Sequence, residues 1–89
     1  MALYLVHHHL PGLTLQDLQA LQQAAMETSA RFTAEGKPVH YIRSTFVPSE
    51  SYMMSLFEAA QATLVRDVSE LAQIPFTRIV EAVDLTVAT

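Results

Sequence analysis

The stretch ALYLVHHHLPGLTLQD, residues 2–17, carries the signals for a strand, a turn and the start of a helix. Its first eight residues are rich in strand formers and place apolar side chains on both faces, which is typical of a strand covered on both sides. The tripeptide LPG, residues 10–12, interrupts this strand. Thr14 then has the position of a helix N-cap, with Asp17 three residues later as a variant of the capping box. The stretch therefore predicts a buried strand followed by a helix that begins directly after Thr14.

The rest of the chain continues this alternation of strands and helices. The first helix should end near Gly36, which tolerates the left-handed conformation, because Pro38 prevents its continuation. The remaining predicted elements are a second strand over residues 39–47, a third over 52–58, a second helix over 60–72 and a fourth strand over 77–87.

The order strand-helix-strand-strand-helix-strand indicates an α+β fold. Right-handed crossovers lead from this order to the ferredoxin-like βαββαβ sandwich, an antiparallel sheet in the order 4-1-3-2 with two helices on one face. A chain of 89 residues is long enough for one small core and too short for two. We therefore expect residues 1–89 to form a single ferredoxin-like domain.

One face of such a sheet has no helix to cover it. The chain is 51% hydrophobic and only 16% charged, so it has few polar groups with which to cover apolar surface. For a sheet with one face open to water, the strands carry too many apolar residues: Tyr4, Val6, Met53, Met54, Phe57 and Val80. A face of this kind is expected to be buried against a second copy, so the sequence predicts a homodimer.

Charge and composition exclude several classes of function. The net charge is −4 and the five basic residues are scattered, so nucleic acid is not an expected partner. The chain has no cysteine, which excludes disulfides, thiolate metal sites and thiol nucleophiles. Neither a signal peptide nor a membrane span is recognisable, so we expect a cytoplasmic protein without a membrane partner.

The three consecutive histidines are the most prominent polar feature. On a strand, His7 and His9 share one face, about 7 Å apart, while His8 points to the other. At most two imidazoles therefore converge, and a carboxylate from Glu50 or Asp17 at the same end of the sheet could join them. Such ligands suit nickel, copper or zinc, which gives a candidate metal set of His7, His9 and Glu50. The structural alternative is that the histidines only pack or bond the backbone.

Two other functions stay open. The first is a cofactor-free isomerase or cyclase of the dimeric α+β barrel type acting on a small-molecule ligand, with a histidine as acid or base. Its candidate residues are His8 and His9 for proton transfer, with Arg43, Tyr41 and Tyr52 to orient the substrate. The second is a dimeric interaction module without chemistry. Metal binding that depends on His7 and His9 would favour the metal-binding protein. A deep pocket with one inward histidine would favour the enzyme, and a filled core with solvated histidines would favour the interaction module. No organic cofactor is implied.

Several motifs carry a resemblance to a known family. The segments YLVHHHLPGLT, YIRS and ELAQIPFTRIVEAVDL resemble a small bacterial nickel-binding, ferredoxin-like family first described as a domain of unknown function. The resemblance implies a cytoplasmic dimer that binds nickel. Members more often have an acidic and a basic residue where His7 and His8 stand, a cysteine near Ser55, and glycine where Gln73 stands. Gln73 is therefore expected either to adopt a left-handed conformation or to stand in a changed turn.

Overall fold

The computed structural model describes residues 1–87 of the chain. Its elements follow the predicted order: β1 (Ala2–His9), α1 (Leu15–Ala34), β2 (Val39–Val47), a short 3-10 helix (Pro48–Glu50), β3 (Tyr52–Ala59), α2 (Ala62–Leu71) and β4 (Arg78–Ala82). The strands form one sheet in the order β2-β3-β1-β4, and every neighbouring pair is antiparallel. The predicted ferredoxin-like α+β arrangement and strand order are confirmed.

The predicted signals at the ends of α1 and α2 are present. The Thr14 hydroxyl accepts a hydrogen bond from the Asp17 N–H at 3.1 Å, and the Asp17 carboxylate accepts one from the Thr14 N–H at 2.9 Å. Gly36 follows α1 with a φ of +84°, and Gln73 follows α2 with a φ of +58°, as expected. Within residues 1–87, no helix is both long enough and apolar enough to cross a membrane.

Two elements are shorter than their sequence patterns predict. The second helix was predicted over 60–72 and covers Ala62–Leu71. The fourth strand was predicted to continue to residue 87 but ends at Ala82. In the antiparallel pairing, Ala82 lies opposite Leu3, which is the second residue of β1, so β1 has almost no further residues with which β4 could pair. The alternating apolar residues beyond it, Val83, Leu85 and Val87, are 78%, 92% and 90% exposed.

The expectation drawn from the six apolar strand residues needs a correction. Tyr4, Val6 and Phe57 pack with the helix residues of the main core, and Met53 packs against Leu18 of α1. These four residues thus lie on the helix-covered face, and of the six only Met54 and Val80 lie on the uncovered face. The reason is that β1 is apolar on both faces, so alternation alone does not show which face the helices cover.

The uncovered face is nevertheless apolar at its centre. Leu5 on β1 lies opposite Leu56 of β3 on one side and Val80 of β4 on the other. Met54 is the next residue of β3 on this face, opposite His7. These side chains form an apolar patch that no helix covers within residues 1–87. Val83 and Asp84, directly after β4, line the same hollow as Leu5, Met54 and Leu56, and Leu56 is only 4% exposed.

Candidate histidine site on the first strand

The strand separates the three histidines as their alternation predicts. His8 points into the helix-covered layer and is 2% exposed. His7 and His9 lie on the uncovered face, where His7 is 8% exposed and His9 is open to solvent. The same residue type therefore occupies two different environments within three positions of the chain.

The hydrogen bonds of His8 determine its tautomer. Its Nδ1 lies 2.7 Å from the carbonyl oxygen of Pro75, which can only accept, so Nδ1 carries a proton and donates it. Burial lowers the pKa of His8; the hydrogen bond to Pro75 opposes this shift and the nearby His7 adds to it. The imidazole is therefore neutral near pH 7, and Nε2 is an acceptor. Ser55, with Oγ 3.1 Å from Nε2, must be the donor of that bond.

This assignment fixes the direction of a chain of hydrogen bonds. Because the Ser55 hydroxyl donates to His8, its oxygen accepts from Ser44 at 2.7 Å. Ser44 in turn accepts from the Tyr41 hydroxyl at 2.6 Å, and Tyr41 accepts from the Gln22 side-chain amide at 2.9 Å. The Pro75 carbonyl thus orients a series of donors that runs from α1 at the surface to His8 in the core. Aligned bonds of this kind polarise and strengthen one another.

A β-bulge in β2 makes this chain of bonds geometrically feasible. The pairing with β3 shifts between Tyr41 and Arg43, so Ile42 is an extra residue without a direct partner. Without the extra residue, Tyr41 and Arg43 would share a face. With it, Tyr41 and Ser44 both face the helices and bond each other, while Arg43 faces the opposite side, across from Leu56.

The space beside His8 is too small for a substrate. The cavity lined by His8, Ser55, Ser44 and Tyr41 has a volume of about 10 Å³. That volume holds about one water molecule. The inward histidine is therefore packed and hydrogen-bonded rather than open to a deep pocket.

His7 lies in a different setting on the uncovered face. Its Nδ1 makes a hydrogen bond to the hydroxyl of Tyr52, and Arg78 lies directly opposite it on β4. Burial, and to a lesser degree the positive charge of Arg78, lower the pKa of His7. The imidazole is therefore neutral near pH 7. Because Tyr52 occupies Nδ1, a metal ion would have to bind Nε2.

The structure places the other predicted metal ligands as follows. Glu50 is exposed in the 3-10 helix that precedes Tyr52, the residue opposite His9, so it lies at the expected end of the sheet. The Asp17 carboxylate is committed to the N-terminus of α1. Among residues 1–87, no three histidine, aspartate or glutamate side chains are grouped closely enough to hold a metal ion. One chain thus supplies a pair of imidazoles and not a closed site.

His40 lies away from the three consecutive histidines. It is opposite Glu58 in the β2–β3 pairing, and Glu58 is opposite Leu3 near the start of β1. His7 is four residues further along β1, which separates the two histidines by about 13 Å along the strand direction.

The residues considered for proton transfer and substrate orientation are divided by the sheet. His8 and Tyr41 face the helices. His9, Arg43 and Tyr52 belong to the uncovered face, because His9 pairs with Tyr52 and Arg43 pairs with Leu56. The five residues therefore do not line one pocket.

Three members of the hydrogen-bonded chain, Gln22, Ser44 and Ser55, are not among the residues singled out in the sequence. Ser55 alone had a visible signal, since it stands between Met53 and Phe57 on the apolar side of its strand. A small polar residue at such a position usually has a buried partner. Ser44 could not be placed because its orientation depends on the bulge.

Comparison with known proteins gives two findings. Residues 4–82 match a family described as nickel responsive protein, SCO4226-like. The crystal structure of SCO4226 from Streptomyces coelicolor A3(2) superposes with a TM-score of 0.79 at 24% sequence identity, covering 97% of this chain and 100% of that one. At this identity the likeness shows the fold alone. A comparison with curated proteins finds no match.

Proposed function

The chain belongs to the SCO4226-like family of nickel responsive proteins, and on this premise we propose that it is a cytoplasmic homodimer that binds nickel or another divalent metal ion through the histidines of its uncovered sheet face. The observation that carries this proposal is that His7 and His9 lie together on the uncovered face, whereas His8 is buried on the other face.

The chemistry of His7 supports metal binding. A metal ion binds the neutral imidazole, and both the burial of His7 and the charge of Arg78 favour that form. The hydrogen bond between Tyr52 and Nδ1 orients the ring, which is the arrangement that outer-shell partners of metal-bound histidines provide. His9, one strand repeat further along the same face, offers the second imidazole.

The incomplete ligand set supports a dimer. Two imidazoles from one chain leave coordination positions on a nickel ion to be filled by water, by Glu50, or by a second copy. The apolar patch around Leu5, Met54 and Val80 lies on the same face as the two histidines. A two-fold axis across this patch would cover it and bring a second pair of imidazoles to the same interface.

Metal binding is tested by calorimetry on untagged protein. Nickel, zinc and copper are titrated into the parent chain and into a His7→Ala/His9→Ala double variant. We expect binding by the parent and at least a tenfold loss of affinity in the double variant. His40→Ala is the matched control, because His40 is exposed at the opposite end of the sheet, and it should leave the affinity unchanged.

Three results would contradict parts of this proposal. A parent protein that binds none of the three ions more tightly than about 1 mM, which corresponds to about −4 kcal/mol, would contradict the proposal. Equal losses in His40→Ala and in the double variant would contradict the assignment of the site. A monomer at micromolar concentration in sedimentation or light scattering would reject the dimer.

A further inference from the structure

A second candidate site lies on the opposite side of the sheet from His7 and His9. A groove of about 490 Å³ runs between α1 and the beginning of β2. Its apolar walls come from Met26, Ala30, Ala34 and Val39, and its polar atoms include those of Ser29 and Tyr41. This volume falls within the usual range for small-molecule sites, which are mostly apolar with a few placed polar groups.

The local sequence explains why the groove exists. Ala30 and Ala34 are one helical turn apart on the same side of α1, and both are exposed. Neither side chain extends beyond Cβ, so the helix leaves the space open. The other wall is β2, which is the edge strand of the sheet, so no further strand closes the groove from that side.

The hydroxyl of Ser29 is the feature that points to a ligand. Ser29 is 3% exposed and lines the groove, and within residues 1–87 its Oγ has no hydrogen-bond partner. Ser69 in α2 is a matched case, since it is 1% exposed but satisfies its hydroxyl with the Val65 carbonyl at 2.9 Å, one turn back. Buried hydroxyls normally have a partner, so the one at Ser29 calls for an acceptor or donor from outside the helix.

Tyr41 limits what the ligand can be. Its hydroxyl accepts from Gln22 and donates to Ser44, and its ring packs edge-on against Phe57 with centroids 5.4 Å apart. Tyr41 therefore acts as a fixed wall. His40 also lines the groove, but it lies opposite Glu58 and belongs to the uncovered face of the sheet. The described lining residues include no Lys, Arg, Asp or Glu, so none of these side chains would compensate a charged ligand.

We propose that the groove between α1 and β2 binds a small uncharged molecule with an apolar body of ring size and one hydrogen-bond acceptor, such as a ketone oxygen, which receives the proton of the Ser29 hydroxyl. This site is separate from the metal proposal, because the sheet lies between the two. It therefore stands or fails independently of nickel binding.

The test uses a ketone and the same ring without its oxygen. The ¹⁵N-labelled full chain is titrated with 1-indanone and with indane, and amide shifts are followed by NMR. Saturable shifts are expected at residues 26–34 and 39–41, with a Kd below about 1 mM for 1-indanone and about five- to tenfold weaker binding of indane.

Two variants separate the roles of shape and hydrogen bonding. Ser29→Ala should fold normally, bind indane as the parent does, and lose the preference for 1-indanone. Ala30→Leu, with Ala34→Leu as a second version, should fill the groove and abolish binding of both probes. Ser69→Ala is the control, because this serine is outside the groove, and it should keep the parent's preference.

Three results would overturn the proposal. The first is no saturable shift at these residues with about 5 mM 1-indanone, a level well above the Kd expected of a specific site. The second is an unchanged preference for the ketone in Ser29→Ala. The third is a change of oligomeric state in Ala30→Leu, which would show that a second copy of the chain covers the groove.

Discussion

The two faces of β1 show how position alone separates residues of one type. On the helix-covered face, His8 has both ring nitrogens bonded and is enclosed by the core. On the uncovered face, His7 and His9 stand at the rim of an apolar patch, and His7 has only its Nδ1 bonded in the described part of the chain. A fully bonded imidazole contributes to folding, whereas a neutral one with an available nitrogen can bind a ligand. The run HHH therefore combines one structural residue with a candidate site.

The arrangement of polar groups also differs between the two faces. The covered face connects its serines and Tyr41 into a single directed series that ends at the Pro75 carbonyl. The uncovered face carries Arg43 and Arg78 at its two sides, each opposite an uncovered-face residue of the neighbouring strand. The first arrangement favours a single packed state, and the second leaves a surface suited to a partner or an ion.

The largest expected difference between the faces comes from a buried charge. Val6→Asp places a carboxylate at a position with 0% exposure and no partner. We expect a loss above about 4 kcal/mol, close to the whole stability of a small domain, so the variant should be unfolded. Leu5→Asp, its neighbour on the other face, should stay folded but become monomeric. Circular dichroism with sedimentation would detect both results, and a folded Val6→Asp variant would show that the faces are assigned wrongly.

A smaller difference is expected between His8 and His9. His8→Ala removes a buried ring and leaves Ser55 and the Pro75 carbonyl without their partner, which should cost about 2–4 kcal/mol. His9→Ala, at an exposed position, should change the free energy of unfolding by no more than about 0.5 kcal/mol. Urea unfolding measures both. Equal effects would mean that the hydrogen bonds of His8 contribute nothing specific.

The pH dependence of stability follows from the lowered pKa values of His7 and His8. In the unfolded chain both groups titrate near pH 6.5, so below that pH the unfolded state binds more protons than the folded state. Stability should be complete above about pH 6.5 and should fall as the pH is lowered towards 5, by at most about 1.4 kcal/mol per pH unit for each group.

Urea unfolding at pH 7.5 and at pH 5.5 tests this expectation. His8→Gln, which keeps a donor and an acceptor at the buried position, should show a smaller loss between the two pH values than the parent. A parent protein that is equally stable at both pH values would contradict the assignment of neutral, buried imidazoles.

The smallest expected effect concerns Tyr52. Tyr52→Phe removes the hydrogen bond to His7 at the partly open face and should lower the free energy of unfolding by about 1 kcal/mol. The same variant should weaken nickel binding, because the ring of His7 loses its orienting partner. Unfolding and calorimetry on one preparation would measure the two effects together. A variant with parental nickel affinity would exclude an orienting role for Tyr52.

Most of the fold can be predicted from the sequence because the residues that begin and end the helices act locally. Thr14, Asp17 and Gly36 act within a few residues of where they stand, and all three adopt the conformations or bonds expected of them. The left-handed conformation of Gln73 was expected from the family resemblance and not from a local signal. The separation of His8 from its neighbours is also local, since it follows from the two-residue repeat of a strand.

The features that could not be predicted depend on distant parts of the chain. Which side of β1 meets the helices is decided by packing with residues such as Phe32 and Val65, far along the chain, and so the alternation of β1 did not place Tyr4 and Val6 on the covered face. The bulge at Ile42 has no glycine or proline to mark it. The position at which β4 ends depends on where its antiparallel partner β1 begins, so it cannot be read from the β4 segment alone.

The central claim is that the uncovered pair of histidines binds the metal and the covered histidine does not. Nickel calorimetry on the single variants His7→Ala, His9→Ala and His8→Gln, all untagged and each confirmed as folded, tests it most directly. We predict that each of the first two variants weakens binding by about tenfold or more, in the range seen when metal-site residues are removed. His8→Gln should stay within about twofold of the parent, well below that range. A larger loss in His8→Gln than in His7→Ala or His9→Ala would contradict the claim.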